Sequence, residues 1–519
     1  MPGRQRQLRD TRRRLSAALD RAPRLNPGAV LDRTPGYTEG VLHNRLDPSR
    51  RGTHHKARAG SSVAGMILVI FRKVGFDAMR ISSVGENVRR NSTANRLDVA
   101  DRAVHDWYRF VLSFPPHLVR DYLTRFELGE EHRVLDPFCG TGTTLVECKK
   151  CGVPSLGVEA NTMACFASRV KVDWSPDGKR LLTHARKVAD AALQILDFQG
   201  IDDHAALFQR GRPCNPKVHL RTLPEESQKL LLTNSISPLP LHKALVLSDC
   251  INDARSTRFR QHERLAFAKA LVFSISNLHF GPEVGVGAIK KDAPVIDLWL
   301  REVASMASDL ESLSAVAAPP AEVYQADSRQ RVKEIPPNSI DAVITSPPYP
   351  NEKDYTRTTR LESVLLGFLR DRASLRELKR ELVRSNTRNV YKGDNDDQWV
   401  SAHPEVQRIA HAIEARRIEL GKTSGFERLY ARVTKLYFGG MKSHLAALRQ
   451  LLRPGARLAY VVGDQASYLR VMIRTGKILA DIAQSLGYEL EGIDLFRTRL
   501  ATATREQLRE EVVVLRWPG

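Results

Sequence analysis

Cysteine is scarce in this sequence, and so are long apolar runs. Six cysteines in 519 residues predict no disulfide framework and a reducing compartment. Cys148 and Cys151 form a Cys-x-x-Cys pair, but no second Cys or His pair follows at zinc spacing, so no metal site is expected. The longest strongly apolar stretch, residues 63–71, is too short to span a bilayer and comes too late for a signal peptide. We therefore expect a cytoplasmic protein that has no membrane contact.

Acidic residues are fewer than basic residues in this sequence. The 59 Asp/Glu against 80 Lys/Arg give a formal net charge of +21, which indicates a polyanionic partner such as nucleic acid. A basic tail on a neutral enzyme is the alternative. Residues 1–60 hold 14 Lys/Arg and 5 Asp/Glu, which accounts for +9 and leaves +12 on the rest. The charge therefore favours nucleic-acid binding by the main part of the chain.

The first 98 residues differ from the rest in composition. They are rich in Arg, Gly, Pro, Ser and Asn, which predicts a basic and mostly disordered segment over residues 1–98. This segment is either a DNA-tethering tail or an over-long translation start, with Met66 and Met79 as later starts.

A glycine-bearing loop follows the first predicted strand. Residues 134–135 form that strand, residues 136–142 the loop and residues 143–150 a helix. Gly140 and Gly142 allow a tight turn and close approach of a ligand to the backbone. A third glycine at dinucleotide spacing and a P-loop Gly-Lys-Ser/Thr are both missing, so the loop is unsuited to pyrophosphate. The next strand ends at Glu159, which is placed to bind the ribose hydroxyls of an adenosine-containing cofactor, or to cap the helix near Asn161.

A proline pair ends another short strand. The apolar residues 342–344 predict a buried parallel strand, and Pro347 and Pro348 then prevent both ladder pairing and helix nucleation. Ser346 and the Pro347 carbonyl are therefore displayed at a strand's carboxyl end, where open α/β sheets bind ligands. With the flat ring of Tyr349 beside them, these acceptors suit a planar group that carries an amine, such as a nucleobase. A proline-rich turn without function is the alternative.

Two motifs carry a resemblance to a known family. The loop Asp-Pro-Phe-Cys-Gly-Thr-Gly-Thr-Thr from Asp136 matches the Phe-x-Gly-x-Gly motif of S-adenosylmethionine-dependent methyltransferases. Thr-Ser-Pro-Pro-Tyr from Thr345 matches the catalytic motif of those that methylate exocyclic amines of DNA bases. The chain thus resembles an amino-group DNA methyltransferase. Ser346 at the first motif position resembles the N4-cytosine subgroup more than the Asp or Asn usual in N6-adenine enzymes.

The resemblance covers residues 102–171, residues 321–369 and the last ninety or so. It implies an α/β fold, with a Rossmann-like S-adenosylmethionine methyltransferase sheet that two helical insertions interrupt. The expected organisation is a basic segment (1–98), the cofactor-binding half (99–171), a helical insertion for target recognition (172–320), the catalytic motif (321–369), a second helical insertion (370–428) and the closing strands (429–519).

The resemblance also implies roles for individual residues. Asp327, at the end of a further strand over residues 322–327, is expected to accept from the cofactor adenine amine, with a surface turn as the alternative. The expected cofactor-binding residues are Phe114, Pro115, Asp136, Phe138, Gly140, Gly142, Glu159 and Asp327. The expected catalytic residues are Ser346, Pro347, Pro348 and Tyr349. The expected nucleic-acid contacts are Asn351, Tyr355, Lys290, Lys291, Arg384 and Arg388, the last two from one helix face and the lysines from a glycine-rich loop.

The implied activity is site-specific methyl transfer to cytosine N4 in double-stranded DNA, within a restriction-modification system and with a cognate endonuclease as a further partner. An N6-adenine enzyme is the alternative, followed by an RNA amine methyltransferase and a catalytically dead DNA-binding protein. A C5-cytosine enzyme needs a cysteine nucleophile in a Pro-Cys pair. Pro213 and Cys214 lie in the first insertion and not at a strand end, which argues against that chemistry. We expect the protein at the nucleoid.

Overall fold

The computed structural model describes residues 97–109, 113–203, 218–281, 283–314, 318–351, 353–500 and 507–519. The prediction of a basic disordered segment over residues 1–98 falls almost entirely outside these ranges, and so does the Pro213-Cys214 pair. The expectations for these parts of the chain stay predictions.

A seven-stranded sheet forms the centre of the described chain, in the order β5-β2-β1-β6-β7-β9-β8. The first five of these strands are parallel to one another, and β9 runs antiparallel to both β7 and β8. A separate antiparallel hairpin joins β3 to β4. The strands are β1 (Val134–Asp136), β2 (Ser155–Val158), β3 (Leu278–Phe280), β4 (Val284–Val286), β5 (Ala321–Tyr324), β6 (Ile340–Thr345), β7 (Leu452–Gly463), β8 (Glu489–Leu500) and β9 (Gln507–Arg516).

Helices connect and cover these strands. They are α1 (Arg102–His105), α2 (Pro116–Arg125), α3 (Thr143–Lys150), α4 (Thr162–Val172), α5 (Gly178–Phe198), α6 (Glu225–Gln228), α7 (Pro238–Asp253), α8 (Arg260–Ala270), α9 (Val295–Leu313), α10 (Tyr355–Thr358), α11 (Arg360–Leu365), α12 (Arg372–Glu381), α13 (Pro404–Glu419), α14 (Tyr430–Leu448) and α15 (Thr475–Gln484). Short 3-10 turns lie at Val99–Asp101, Thr387–Asn389, Asp396–Val400 and Glu427–Leu429, and a π-helical turn (Leu271–Ile275) continues α8.

The central strands are buried on both faces. Successive side chains of a strand point to opposite sides of the sheet, so neighbours in β6 join different clusters. Ile344 packs with Val119 of α2 on one side, and Val343 packs with Tyr437 of α14 on the other. Burial of each such side chain contributes roughly 2 kcal/mol, and the two layers of helices hold the sheet in a fixed register.

The predicted Rossmann-like α/β fold is confirmed. The chain passes from β1 to β2 and β5 on one side of the sheet and then returns to β6 on the other side of β1. The carboxyl ends of β1 and β6 therefore adjoin at the point where the strand order reverses, which is where open α/β sheets form a ligand crevice.

The chain between strands is mainly helical in the two places where insertions are expected. Helices α5 to α9 lie within residues 172–320, and α12 and α13 lie within residues 370–428. The domain boundaries themselves stay a prediction. Two local expectations differ from the structure: part of the glycine-rich stretch 280–292 pairs as the β3–β4 hairpin, and residues 382–386 are not helical.

Candidate active site

Asp136 links the glycine loop to the end of β6 in the crevice. It ends β1 and is fully buried, and its Oδ1 accepts hydrogen bonds from Thr345 Oγ1 (2.6 Å) and from the Phe138 backbone N–H (3.1 Å). Thr144, at the start of α3, donates to the Ile344 carbonyl (3.1 Å). These bonds fix the glycine loop beside the end of β6, directly before Ser346. Burial raises the pKa of Asp136 to about 6, and its Oδ2 has no partner among the described residues.

Glu159 holds the other side of the glycine loop. Its two carboxylate oxygens accept from the backbone N–H groups of Gly140 (2.9 Å) and Asn161 (2.7 Å). Burial raises the pKa of this carboxyl to about 7, while the two backbone bonds oppose the rise. The cap of α4 is the Asn161 side chain, which accepts from Met163 N. Glu159 therefore fastens the loop, and each of its oxygens keeps a lone pair for a further donor.

The two loop glycines have different surroundings. Gly142 has φ +84°, and a Cβ there would lie 2.7 Å from Ser168 Oγ, which itself donates to the Gly140 carbonyl (3.0 Å). Gly140 has φ +52°, and a Cβ there would meet only the Phe138 carbonyl, 4.0 Å away. The loop is closed on the Gly142 side and open at Gly140. Thr141 Oγ1, between them, is buried without a partner among the described residues.

Phe138 contacts a polar group that sequence reasoning missed. Its ring meets that of His444 edge-on, with the centroids 4.8 Å apart. Burial lowers the pKa of His444 to about 4, so the ring is neutral at physiological pH. Because Nδ1 lies 2.9 Å from the Ser328 carbonyl, it carries the proton, and Nε2 accepts from the Tyr460 hydroxyl (2.7 Å). A lone histidine in a helical stretch gives no signal of this role.

Asp327 lies three residues beyond the end of β5 and is partly exposed. Both of its oxygens accept from the Arg329 guanidinium, Oδ2 at 2.7 Å from Nη2 and Oδ1 at 3.0 Å from Nε. Arg329 also bonds Asp396 (2.5 Å) and the Arg380 carbonyl (2.8 Å). Asp327 is thus tied into an ion-pair network, and any acceptor role toward an adenine amine is shared with that network.

The two residues expected from the chain before α2 lie at its start. Pro115 is buried with extended backbone geometry (φ −78°, ψ 144°) directly before Pro116, which begins the helix. Phe114 is partly buried and packs against the cluster that contains Val119.

Ser346 begins the proline stretch at the end of β6. Its hydroxyl donates to the Val461 carbonyl of β7 (3.2 Å), so the lone pairs of its oxygen remain available to accept. Pro347 is buried, and its carbonyl receives no hydrogen bond from the described part of the chain. Pro348 is partly exposed. The Ser346 oxygen, which also has a hydrogen-bond interaction with the Tyr349 phenol, and the Pro347 carbonyl thus adjoin at the strand end.

Tyr349 packs on the end of β7. A Cβ at Gly463 would lie 2.9 Å from Cε2 of its ring, so a glycine is needed there. Burial raises the pKa of the Tyr349 phenol, and so does the nearby Glu510 carboxylate. The phenol of Tyr437, missed by sequence reasoning, is near enough to Tyr349 to interact with it electrostatically, and its hydroxyl is buried without a partner among the described residues. Tyr349 is therefore held as a neutral, partly exposed aromatic ring.

Comparison with known proteins shows which proteins the chain is similar to. The Type II methyltransferase M.BsoBI of Geobacillus stearothermophilus is 23% identical over 458 residues, which cover 83% of this chain and 88% of that protein. The chain resembles Type II methyltransferases. M.AvaI of Nostoc sp. is 22% identical over 440 residues (79% of this chain, 86% of that protein), and M.MjaII of Methanocaldococcus jannaschii is 37% identical over 111 residues (21% of each). No protein family model matches the chain.

The residues expected to contact nucleic acid differ in their exposure to solvent. Asn351 is buried, and its Oδ1 accepts from Lys353 N (3.0 Å) within the turn after Tyr349. Tyr355 is half-buried at the start of α10, and burial raises its pKa to about 12. The Lys290 ammonium donates to the carbonyls of Ser274 and Ser276 (2.8 Å each), whereas Lys291 is exposed.

Arg384 and Arg388 do not share a helix face. Arg384 is buried and forms a bidentate pair with Asp394 (2.9 Å for both bonds), which indicates a structural role. Arg388 follows in a 3-10 turn and reaches the surface beside the β3–β4 hairpin. The expected arginine pair is therefore replaced by a single surface arginine.

Metal ligands and membrane spans were sought within the described ranges. No group of three or more His, Cys, Asp or Glu side chains there is placed to hold a metal ion. None of the helices in this part of the chain has both the length and the apolar composition needed to cross a bilayer. The described cysteines, Cys139, Cys148, Cys151, Cys165 and Cys250, are free.

Proposed function

We propose that this protein transfers a methyl group from S-adenosylmethionine to the exocyclic N4 amine of cytosine in double-stranded DNA, at a specific sequence. The observation that carries the proposal is the hydrogen bond from Thr345 to Asp136. This bond holds the glycine loop next to Ser346, at the point where the strand order reverses. The similarity to Type II methyltransferases along most of the chain supports the same reaction class.

The glycine loop offers acceptors that suit the donor groups of the cofactor. S-adenosylmethionine offers an ammonium group and two ribose hydroxyls as donors, and the crevice offers acceptors. Asp136 Oδ2 and Thr141 Oγ1 lack partners among the described residues, and Glu159 keeps lone pairs on both oxygens. The open side of Gly140 leaves room beside the backbone. When bound there, the cofactor supplies an electrophilic methyl group on its sulfonium.

We assign the activation of the amine to Ser346 and Pro347. A cytosine N4 lone pair is delocalised into the ring, which makes the amine a poor nucleophile. Acceptors at Ser346 Oγ and the Pro347 carbonyl bind its two N–H groups and favour a more pyramidal nitrogen, which stabilises the transition state more than the ground state. The hydroxyl is already oriented for this role because its own proton is donated to the Val461 carbonyl.

Tyr349 serves as the stacking partner for the reacting base. The amine is buried in duplex DNA, so the base is flipped into the crevice at a cost of a few kcal/mol. The Tyr349 ring is partly exposed and packs against Gly463 at the end of β7. Stacking of the base on this ring offsets part of the cost. Positioning then supplies most of the rate, and no covalent enzyme intermediate is required.

Cytosine is preferred over adenine in this proposal because Ser346 at the first motif position resembles the N4-cytosine subgroup. An N6-adenine enzyme is the second candidate, since both bases present an exocyclic amine and the acceptor geometry serves either. The net charge of +21 supports DNA as the substrate and the nucleoid in the cytoplasm as the working location. The similarity to Type II methyltransferases supports a restriction-modification role with a cognate endonuclease.

Product analysis tests the proposal directly. DNA from a host that expresses the protein is digested to nucleosides and analysed by mass spectrometry, with modified-base sequencing of the same sample to locate the sites. We expect N4-methylcytosine at one recurrent sequence. N6-methyladenine would replace cytosine by adenine in the proposal, and unmodified DNA together with no calorimetric binding of S-adenosylmethionine would refute methyl transfer.

Two substitutions test the assigned roles. Ser346→Ala removes one amine acceptor and Tyr349→Ala removes the stacking ring, so each should abolish turnover while the Kd for S-adenosylmethionine stays unchanged. Ser401→Ala is the matched control, because this exposed hydroxyl also donates to a backbone carbonyl (2.9 Å) but lies outside the crevice. Turnover at the wild-type rate in either crevice variant would contradict the mechanism.

A further inference from the structure

A cleft lies between the β3–β4 hairpin and the chain that follows the proline stretch. It encloses about 470 Å³ of empty space, open solvent included, and its lining includes Phe280, Glu283, Lys353, Tyr355, Arg357 and Arg388. The hairpin comes from the chain between β2 and β5, and Arg388 comes from the chain between β6 and β7. The cleft therefore brings both inserted regions to the residues directly after Tyr349.

One carboxylate oxygen occupies the basic side of this cleft. Glu283 Oε2 accepts from Arg357 Nη1 (3.2 Å) and from Arg388 Nη1 (3.4 Å). Both contacts are longer than the distances of about 2.7–2.9 Å typical of charge-assisted hydrogen bonds, and neither is bidentate. The Arg357 Nε is buried and has no partner in the described part of the chain. The two guanidinium groups are thus only partly satisfied by Glu283.

A third cation in the cleft has no hydrogen-bonded counter-charge among the described residues. The Lys353 ammonium makes no hydrogen bond or ion pair with any described residue, and burial lowers its pKa. Asp354, also in the lining, is taken up by Lys379 (2.8 Å) and by Thr356. Among the described residues that line the cleft, three cations therefore face the single Glu283 carboxylate that is not taken up elsewhere. Glu510, which interacts electrostatically with Lys353, is paired with Arg497 (2.6 Å).

We infer that this cleft binds a backbone phosphate of the DNA substrate, and that the Glu283 carboxylate takes the place of that phosphate until DNA binds. The inference rests on the proposed function, because it takes DNA as the substrate. A phosphate offers several strong acceptor oxygens in one group, so it can satisfy both arginines and the Lys353 ammonium, whereas one carboxylate oxygen reaches only the arginines. Displacement of Glu283 on binding moves the hairpin carboxylate into solvent.

The affinity for DNA and its salt dependence test this site. Fluorescence anisotropy with a labelled mixed-sequence duplex is measured over a series of salt concentrations for the full-length protein. Loss of one phosphate contact should reduce the slope of log K against log salt by about one, so Arg357→Gln and Arg388→Gln should each bind more weakly and with a shallower slope. The affinity for S-adenosylmethionine should stay unchanged in both.

Glu283→Gln gives the opposite and more informative result. It removes the competing carboxylate, so DNA affinity should rise by about two- to fivefold, the equivalent of a partly exposed ion pair. A misfolded protein cannot produce this gain. Glu489→Gln and Arg516→Ala are matched controls, since this 3.2 Å pair joins β8 to β9 at the opposite end of the sheet from Gly463. Neither control should alter DNA binding.

The outcomes separate this inference from the proposed function. Unchanged affinity in Glu283→Gln together with an unchanged salt slope in both arginine variants would overturn the phosphate site, even in an enzyme that methylates DNA. A gain in Glu283→Gln for inorganic phosphate at matched ionic strength, without a gain for the duplex, would also overturn it. The expected shifts in a protein that modifies no base would support the phosphate site and refute methyl transfer.

Discussion

Substitution of Gly142 by alanine tests how the glycine loop is held in place. A Cβ at φ +84° costs about 1–2 kcal/mol, because the left-handed conformation crowds a side chain. The new Cβ would also lie 2.7 Å from Ser168 Oγ, and displacement of that hydroxyl breaks its bond to the Gly140 carbonyl, worth about 1 kcal/mol. We expect Gly142→Ala to lower the free energy of unfolding by about 2–3 kcal/mol.

Gly152→Ala is the matched control for this prediction. Gly152 has φ +78° and nothing within 4 Å of an added Cβ, so the substitution should cost only the conformational strain of about 1–2 kcal/mol. Ser168→Ala removes the closest atom from the crowded position. The cost of the Gly142→Ala/Ser168→Ala double variant should therefore be less than the sum of the two single costs.

Urea unfolding followed by circular dichroism gives the free energies, and calorimetry gives the Kd for S-adenosylmethionine. Gly142→Ala should weaken cofactor binding because the loop that contains Gly140 shifts, and Gly152→Ala should leave the Kd unchanged. If Gly142→Ala costs no more stability than Gly152→Ala and binds the cofactor normally, the close approach to Ser168 is not what shapes the loop.

Two further predictions concern protonation and packing in the crevice. Ionised carboxylates attract the cofactor's ammonium group, and the pKa values of about 6 for Asp136 and about 7 for Glu159 place their ionisation near neutral pH. Cofactor affinity measured by calorimetry should therefore rise from about pH 5 to about pH 8, and Asp136→Asn should remove the lower part of the rise; a flat profile in the wild type would contradict this. Gly463→Ala places a Cβ 2.9 Å from the Tyr349 ring and should lower kcat without a change in cofactor Kd, whereas Gly492→Ala, with nothing within 4 Å, should behave as wild type. Full turnover in Gly463→Ala would show that the position of the ring does not matter.

Local sequence patterns predicted the supporting elements of the crevice well. The helix Thr143–Lys150 has the predicted bounds, and the strand that was expected to end at Glu159 ends one residue earlier. Glycines after a short apolar run and prolines at a strand end limit the backbone within a few residues of themselves, so a single sequence carries that information.

Long-range partners were not predictable in the same way. Asp136 bonds Thr345 across 209 positions, and Phe138 contacts His444 across more than three hundred. Nothing near either residue in the sequence indicates its partner. For Arg384 the sequence pattern predicted the wrong environment. Its spacing from Arg388 is typical of an exposed helix face, but Asp394, ten residues later, holds it in the interior.

The position of β5 at the edge of the sheet has a consequence for how this enzyme can diversify. The chain that contains the β3–β4 hairpin leaves after β2 and returns at β5, which pairs only with β2. An edge strand has one neighbour to match, so residues can be gained or lost between β2 and β5 without moving β1 against β6. A lineage can therefore exchange the region for which we propose DNA contact while the geometry of Asp136, Thr345 and Ser346 is inherited unchanged.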